Sequence, residues 1–158
     1  MLDRIEPQEV CRRLNHALCE IALLGKFVSF FYCILHREDG RLTYCNAGHN
    51  PPLIIRAGGR AETLSSGDAV LAQFPNWPFS QRAAELNSGD ALILFTDGIV
   101  EACGRSGDPF GEERLAKVAA QNCHRGAVQL HDAILAAASG HCGGRFQDDV
   151  SLVVLRAN

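Results

Sequence analysis

The chain has 158 residues, 47% of them hydrophobic and 21% charged, with a formal net charge of −3. That length suits one domain able to bury roughly 70% of its unfolded surface, and the composition is that of an ordinary globular protein. A net negative chain gives no electrostatic case for nucleic acid, and no apolar stretch approaches the about 18 residues that make a membrane span.

The seven cysteines (Cys11, Cys19, Cys33, Cys45, Cys103, Cys123, Cys142) include no C-x-x-C pair. Neither a disulfide framework nor a zinc cluster is spaced that way. The pattern is that of free thiols in a reducing cytosol, so a cytoplasmic location is expected. Met1-Leu2-Asp3-Arg4-Ile5-Glu6-Pro7 is mixed and acidic, without the apolar core of a signal peptide.

In chain order, Glu6-Pro7-Gln8-Glu9 reads as a helix start, with Pro in the first turn and acids at the positive dipole end. Val10, Leu14, Ala17, Leu18 and Ile21 recur at helical spacing as far as a stop at Gly25. Arg12, Arg13, Asn15, His16 and Glu20 make up the polar face. Residues 27–36 read as a strand, Glu38-Asp39-Gly40 as a hairpin turn, and residues 41–47 as the returning strand. After the breaker Gly48-His49-Asn50-Pro51-Pro52, residues 53–56 and 61–64 form a second hairpin. Ser65-Ser66-Gly67-Asp68 is a turn, and residues 69–72 are a short apolar piece. Two prolines make Phe74-Pro75-Asn76-Trp77-Pro78 a loop. A strand is expected over 79–86, followed across a short turn by a buried strand over 91–95. Residues 112–121 and 127–138 carry helical periodicity, Gly140, Gly143 and Gly144 form a joint, and the acids Asp148-Asp149 feed a closing buried strand. About seven or eight strands and three helices give an α+β fold with a mainly antiparallel sheet in a single domain, 1–158.

The chemistry centres on Asp97 and Asp148. Ala91–Phe95 runs straight into Thr96-Asp97-Gly98, and a carboxylate at the end of a buried strand must reach solvent, a cation or a metal. Gly98 would let the backbone turn at once and present its neighbour's carboxylate and a carbonyl to one point. Two acids at strand ends are hard-oxygen ligands suited to Mg²⁺ or Mn²⁺. Spacing alone leaves open that Asp97-Gly98 is a turn and Asp148-Asp149 the solvated start of a strand.

Five segments then resemble, in order, the SpoIIE-like branch of the PPM family of metal-dependent bacterial Ser/Thr protein phosphatases. They are Phe27-Val28-Ser29-Phe30-Phe31-Tyr32, Leu42-Thr43-Tyr44-Cys45-Asn46-Ala47-Gly48-His49-Asn50-Pro51-Pro52-Leu53, Gly89-Asp90 with Phe95-Thr96-Asp97-Gly98-Ile99-Val100-Glu101-Ala102, Phe110-Gly111-Glu112-Glu113-Arg114-Leu115, and Gln147-Asp148-Asp149-Val150-Ser151-Leu152-Val153-Val154. The resemblance implies a layered fold of mainly antiparallel sheets flanked by helices. It also implies two Mn²⁺ or Mg²⁺ ions held by aspartates and a backbone carbonyl, with direct attack of metal-activated water on a phosphoserine or phosphothreonine. Asp97, Gly98 and Asp148 match the metal-holding positions, and Asp149 and His49 take supporting roles. The implied partner is a phosphorylated regulatory protein of the anti-sigma-factor-antagonist type. Relative to the family the chain starts at the helix after an Asp-Gly metal motif. A truncated domain with about half a metal shell is therefore expected, weak or inactive alone, with exposed sheet edges open to homo-oligomer contacts. A catalytically inactive binding module of the same fold is the alternative. A dehalogenase-type reading of Phe95-Thr96-Asp97-Gly98 would want an acid at position 95, where Phe stands. Asp39, Asp68 and Asp90 read as turn acids, Glu101 as a solvated loop acid, Trp77 as a cap on the core edge, and His124, His131 and His141 as surface or helix-face residues.

Overall fold

The computed structural model describes residues 5–21, 25–65 and 67–158. Among these, the elements run α1 (Pro7–Glu20), β1 (Phe30–Leu35), β2 (Arg41–Ala47), β3 (Leu53–Ile55), β4 (Ala61–Thr63), β5 (Arg82–Glu85), β6 (Ala91–Phe95), α2 (Asp97–Val100), α3 (Gly111–Gln121), α4 (Ala127–His141) and β7 (Leu152–Arg156). Every ladder between them is antiparallel. The strands form one sheet in the order β1-β2-β5 and another in the order β4-β3-β6-β7. Two compact units result: Met1–Pro51 with Ser65–Glu85, and Pro52–Leu64 with Leu86–Asn158.

In the first unit α1 covers the three-stranded sheet, with Cys11, Cys45, Ala47, Leu71 and Phe79 at the centre of the contact. The expected apolar stripe of the helix is only partly buried: Leu14 is 38% exposed and Ile21 67%. Asn15, expected on the polar face, is instead 1% exposed. Its Nδ2 donates to the carbonyls of Phe74 (2.9 Å) and Pro75 (3.2 Å), and its Oδ1 accepts from the Ala72 amide (2.9 Å). Asn15 thus satisfies a loop whose own backbone has no ladder partners, which is why a polar side chain belongs inside here. Ala72 has a positive φ of 71°, and the Asn15 bond to its amide helps hold that unfavourable conformation. The helix expectation beyond Ile21 and the turn at Ser66 fall on residues 22–24 and 66, outside the described residues, as do residues 1–4 of the mixed, acidic N-terminal stretch.

β1 begins three residues later than expected, because Val28 bonds instead to Leu71, N–H to O in both directions (3.1 and 2.9 Å). β5 is likewise shorter than 79–86, since the Ser80 amide donates to the Asp68 carboxylate (2.8 Å) rather than to a neighbouring strand. Asp39 does serve the hairpin turn, accepting from the Arg41 amide (3.0 Å), with Gly40 at φ 68°.

The core of the second unit follows from period-two alternation. Leu53 and Ile55 on β3 and Ala91, Ile93 and Phe95 on β6 point to one face, where Leu115, Ala119, Leu130, Ile134 and Ala138 of α3 and α4 meet them. Burying each such Leu or Ile contributes about 1.5–3 kcal/mol. The opposite face of β3 and β6 is buried too, with Ile54 and Leu92 at 0% and 1% exposure. β6 therefore occupies the central position its continuous apolar run predicts. It does not pair with β5: the connection is no hairpin, and β6 lies between β3 and β7. β7 is an edge strand, with Val153 57% exposed, rather than the buried strand expected. α4 runs through Gly140 to His141, and the chain leaves it through Gly143 and Gly144 at φ 64° and 79°.

Asp90, expected as a plain turn acid, is 2% exposed. It accepts from Arg56 Nη1 (2.7 Å) and from the amides of Ala57 and Asn87 (3.0 Å each). Burial pushes its carboxyl upward, but the Arg56 guanidinium and the two amides outweigh burial and hold it below the usual carboxylate range. Arg56 is shared with Glu62 of β4, so the pair ties the β3–β4 hairpin to the start of β6.

Candidate functional site

The sequence predicts that Asp97 follows β6 directly, and it does, but the backbone does not make a glycine-type turn there. Thr96 is extended (φ −88°, ψ 161°), and Asp97–Val100 forms one helical turn, α2. Gly98 is not among the glycines with positive φ. It is small for another reason: a Cβ at this position would lie 2.5 Å from the Asp149 carbonyl oxygen and 3.3 Å from that of Asp148. The segment carrying Asp97 is therefore packed backbone to backbone against the segment carrying Asp148.

Asp148 does not feed directly into a strand, since β7 starts only at Leu152. The intervening residues are held by Thr96. Its amide donates to the Ser151 carbonyl (3.1 Å), its Oγ1 accepts from the Ser151 amide (2.9 Å), and its hydroxyl donates to the Asp149 carbonyl (3.1 Å). Asp97 and Asp148 are both exposed. Each accepts a bond on Oδ1 from the amide that follows it, Gly98 at 3.0 Å and Asp149 at 2.7 Å. Among the described residues no cationic side chain pairs with either acid, in contrast to Asp90 with Arg56. The two acids sit on segments packed backbone to backbone, and carboxylate and carbonyl oxygens are the donor type that suits a hard divalent cation. Among the described residues no group of three or more His, Cys, Asp or Glu side chains comes together to hold a metal.

Asp149 lies in the same loop, where its backbone makes the contacts with Thr96 and Gly98. His49 belongs to the other unit. Its own backbone is gripped by Asn46, whose Oδ1 accepts from the His49 amide (2.8 Å) and whose Nδ2 donates to the His49 carbonyl (2.9 Å). Glu101 is exposed at the end of α2. Trp77 is 38% exposed and tilts against Phe74, with 5.6 Å between ring centroids, so it caps the core edge only partly. His124 is exposed, and His131 contacts Asp132. His141, the last residue of α4, is half-buried: it meets the Phe110 ring edge-on at 5.7 Å, and its Nε2 lies 3.0 Å from the Asp108 carbonyl. Ser106, then His141 and Arg114, hold the Asp108 carboxyl below its usual range. Reasoning from the sequence picked out both acids but passed over Thr96. The signal was a β-branched hydroxyl residue directly between a buried strand and the acid.

The family model for stage II sporulation protein E (SpoIIE) matches residues 1–158. Protein IcfG of Synechocystis sp. is 28% identical over 136 residues, 85% of this chain and 21% of that protein. Phosphoserine phosphatase RsbU of Bacillus subtilis is 23% identical over 156 residues, 96% of this chain and 45% of that protein. The chain thus spans less than half the length of either relative. The manganese-presoaked phosphatase domain of the cell fate determinant SpoIIE from Bacillus subtilis superposes with a TM-score of 0.71 at 16% identity, covering 99% of this chain and 68% of that one. The antiparallel, helix-flanked architecture is therefore that of a PP2C-type phosphatase domain, and the chain belongs to the SpoIIE family.

Proposed function

We propose that residues 1–158 act as one metal-dependent protein serine/threonine phosphatase domain, in the cytoplasm, on a phosphorylated regulatory protein of the anti-sigma-factor-antagonist type. The observation that supports this reading is the packing of Thr96–Gly98 onto the loop of Asp148 and Asp149, two segments that each carry an exposed acid. Asp97 and Asp148 would hold Mn²⁺ or Mg²⁺, Gly98 would offer its carbonyl, and Asp149 would keep the loop in place. A bound divalent cation orients the phosphate and makes water a usable nucleophile near neutral pH. The protein's own contribution is to keep the two carboxylates solvent-facing and, among the described residues, free of cationic partners, so that a metal meets no side chain it must displace. RsbU, a phosphoserine phosphatase by name, supports the choice of substrate. Exposed sheet edges such as β7 would be the route to any homo-oligomer.

Calorimetric titration with Mn²⁺, combined with phosphate release from a phosphoserine peptide, tests the reading. Binding and turnover are expected, with Asp97→Asn and Asp148→Asn each abolishing turnover. Complex formation with a phosphorylated partner and no phosphate release would identify a binding module of the same fold instead.

A further inference from the structure

The ladder between β6 and β7 ends at Phe95 and Leu152. One residue beyond it, Thr96 adds a backbone bond to Ser151, and its side chain then does the work of two further backbone groups. Oγ1 accepts the Ser151 amide as a carbonyl would, and the hydroxyl donates to the Asp149 carbonyl as an amide would. The same Asp149 carbonyl oxygen faces Gly98 at a distance that no Cβ could occupy. It is thus fixed from two sides, by a hydrogen bond from Thr96 and by contact with Gly98. The peptide so fixed follows Asp149, whose amide in turn holds the carboxylate of Asp148. Thr96 is joined covalently to Asp97 and by hydrogen bonds to the loop of Asp148, so a single side chain couples the positions of both acids.

We propose that Thr96 is a positioning residue that sets the separation and orientation of Asp97 and Asp148 for a divalent cation. The inference rests on those two acids being the metal-holding pair proposed above. Threonine suits the task because β-branching restricts χ1 on extended backbone, which keeps the hydroxyl aimed at the loop. Residues that orient metal ligands typically change metal affinity by about 10–100-fold when removed. A hydroxyl that merely finished the strand would leave affinity unchanged.

The test uses the whole chain and its Thr96→Val, Thr96→Ala, Thr96→Ser and Asp97→Asn variants. Two measurements are made on each: Mn²⁺ affinity by calorimetry, and hydrogen exchange of the Ser151 amide without metal. Thr96→Val keeps the shape and removes the hydroxyl. It is expected to speed Ser151 exchange and to weaken Mn²⁺ binding about tenfold or more. Thr96→Ala, which cannot clash, is expected to do the same, so the result does not hang on one variant folding. Thr96→Ser is expected to restore both readouts. Fast Ser151 exchange with unchanged Mn²⁺ affinity in Thr96→Val and Thr96→Ala would overturn the positioning role while leaving the metal site standing. So would a serine variant that binds as poorly as the valine one. If the unmodified chain binds no Mn²⁺, or Asp97→Asn binds as well as the unmodified chain, the metal-site reading fails and the inference falls with it.

Discussion

Asp90 and Asp97 are both acids beside a glycine at the ends of β6, yet their surroundings give them opposite uses. Asp90 is buried and paired with Arg56, so its charge works for stability; Asp97 is exposed and has no cationic partner among the described residues, which suits the ligand role proposed for it. Neutralising Asp90 leaves Arg56 paired with Glu62 alone and weakens the bonds from the Ala57 and Asn87 amides. Asp90→Asn is therefore expected to destabilise the protein by about 1–3 kcal/mol at neutral pH, measured by urea unfolding. The pH dependence has a definite sign. Because the folded carboxyl is held below its unfolded value, its contribution is fully present above the ordinary Asp range and is lost as the pH falls through the folded pKa. The stability gap between the unmodified protein and Asp90→Asn should accordingly narrow as the pH falls below the ordinary aspartate value. A gap that stays constant through that fall would contradict the pairing.

For whole elements, burial rather than polarity decides which residues matter. α1 looks amphipathic in sequence, but the side chain that fastens it to the loop over 72–75 is Asn15, while Leu14 on the apparent apolar stripe remains partly in solvent. Truncating Asn15 removes its bonds to one amide and two carbonyls of the loop and leaves a gap at a buried position, at a cost of about 1–3 kcal/mol. Asn15→Ala is expected to lower the melting temperature clearly, whereas Leu14→Ala should change stability by about 0.5 kcal/mol or less; thermal unfolding of the two variants side by side checks this. The strand expectations show the same principle. β6 was legible to the residue because a buried central strand writes a continuous apolar run. β1 and β5 were drawn too long because Val28 and Ser80 find partners far away in sequence, Leu71 and Asp68, which no local pattern can announce.

On the scale of the molecule, the reading of function predicts a linkage between metal and folding. A cation that binds the folded chain alone stabilises it by about 2.7 kcal/mol at a hundred times its dissociation constant. Excess Mn²⁺ should raise the melting temperature, a chelator should reverse the rise, and Asp97→Asn should show neither effect in a calorimetric scan. By itself the sequence determined the α+β class, the central strand β6 and the family resemblance, and it singled out the two acids proposed as the site. All of these are written in short stretches, where burial, turn chemistry and a strand-end carboxylate leave a local mark. Only the tertiary structure decided that β6 pairs with β3 and β7 rather than β5, that Asn15 and Asp90 turn inward, and that Thr96 and Gly98 clasp the loop of Asp148. The physical reason is common to all three: each depends on a hydrogen bond or a close backbone approach between residues distant in the chain, and the energy of such a contact is set by what the fold brings alongside.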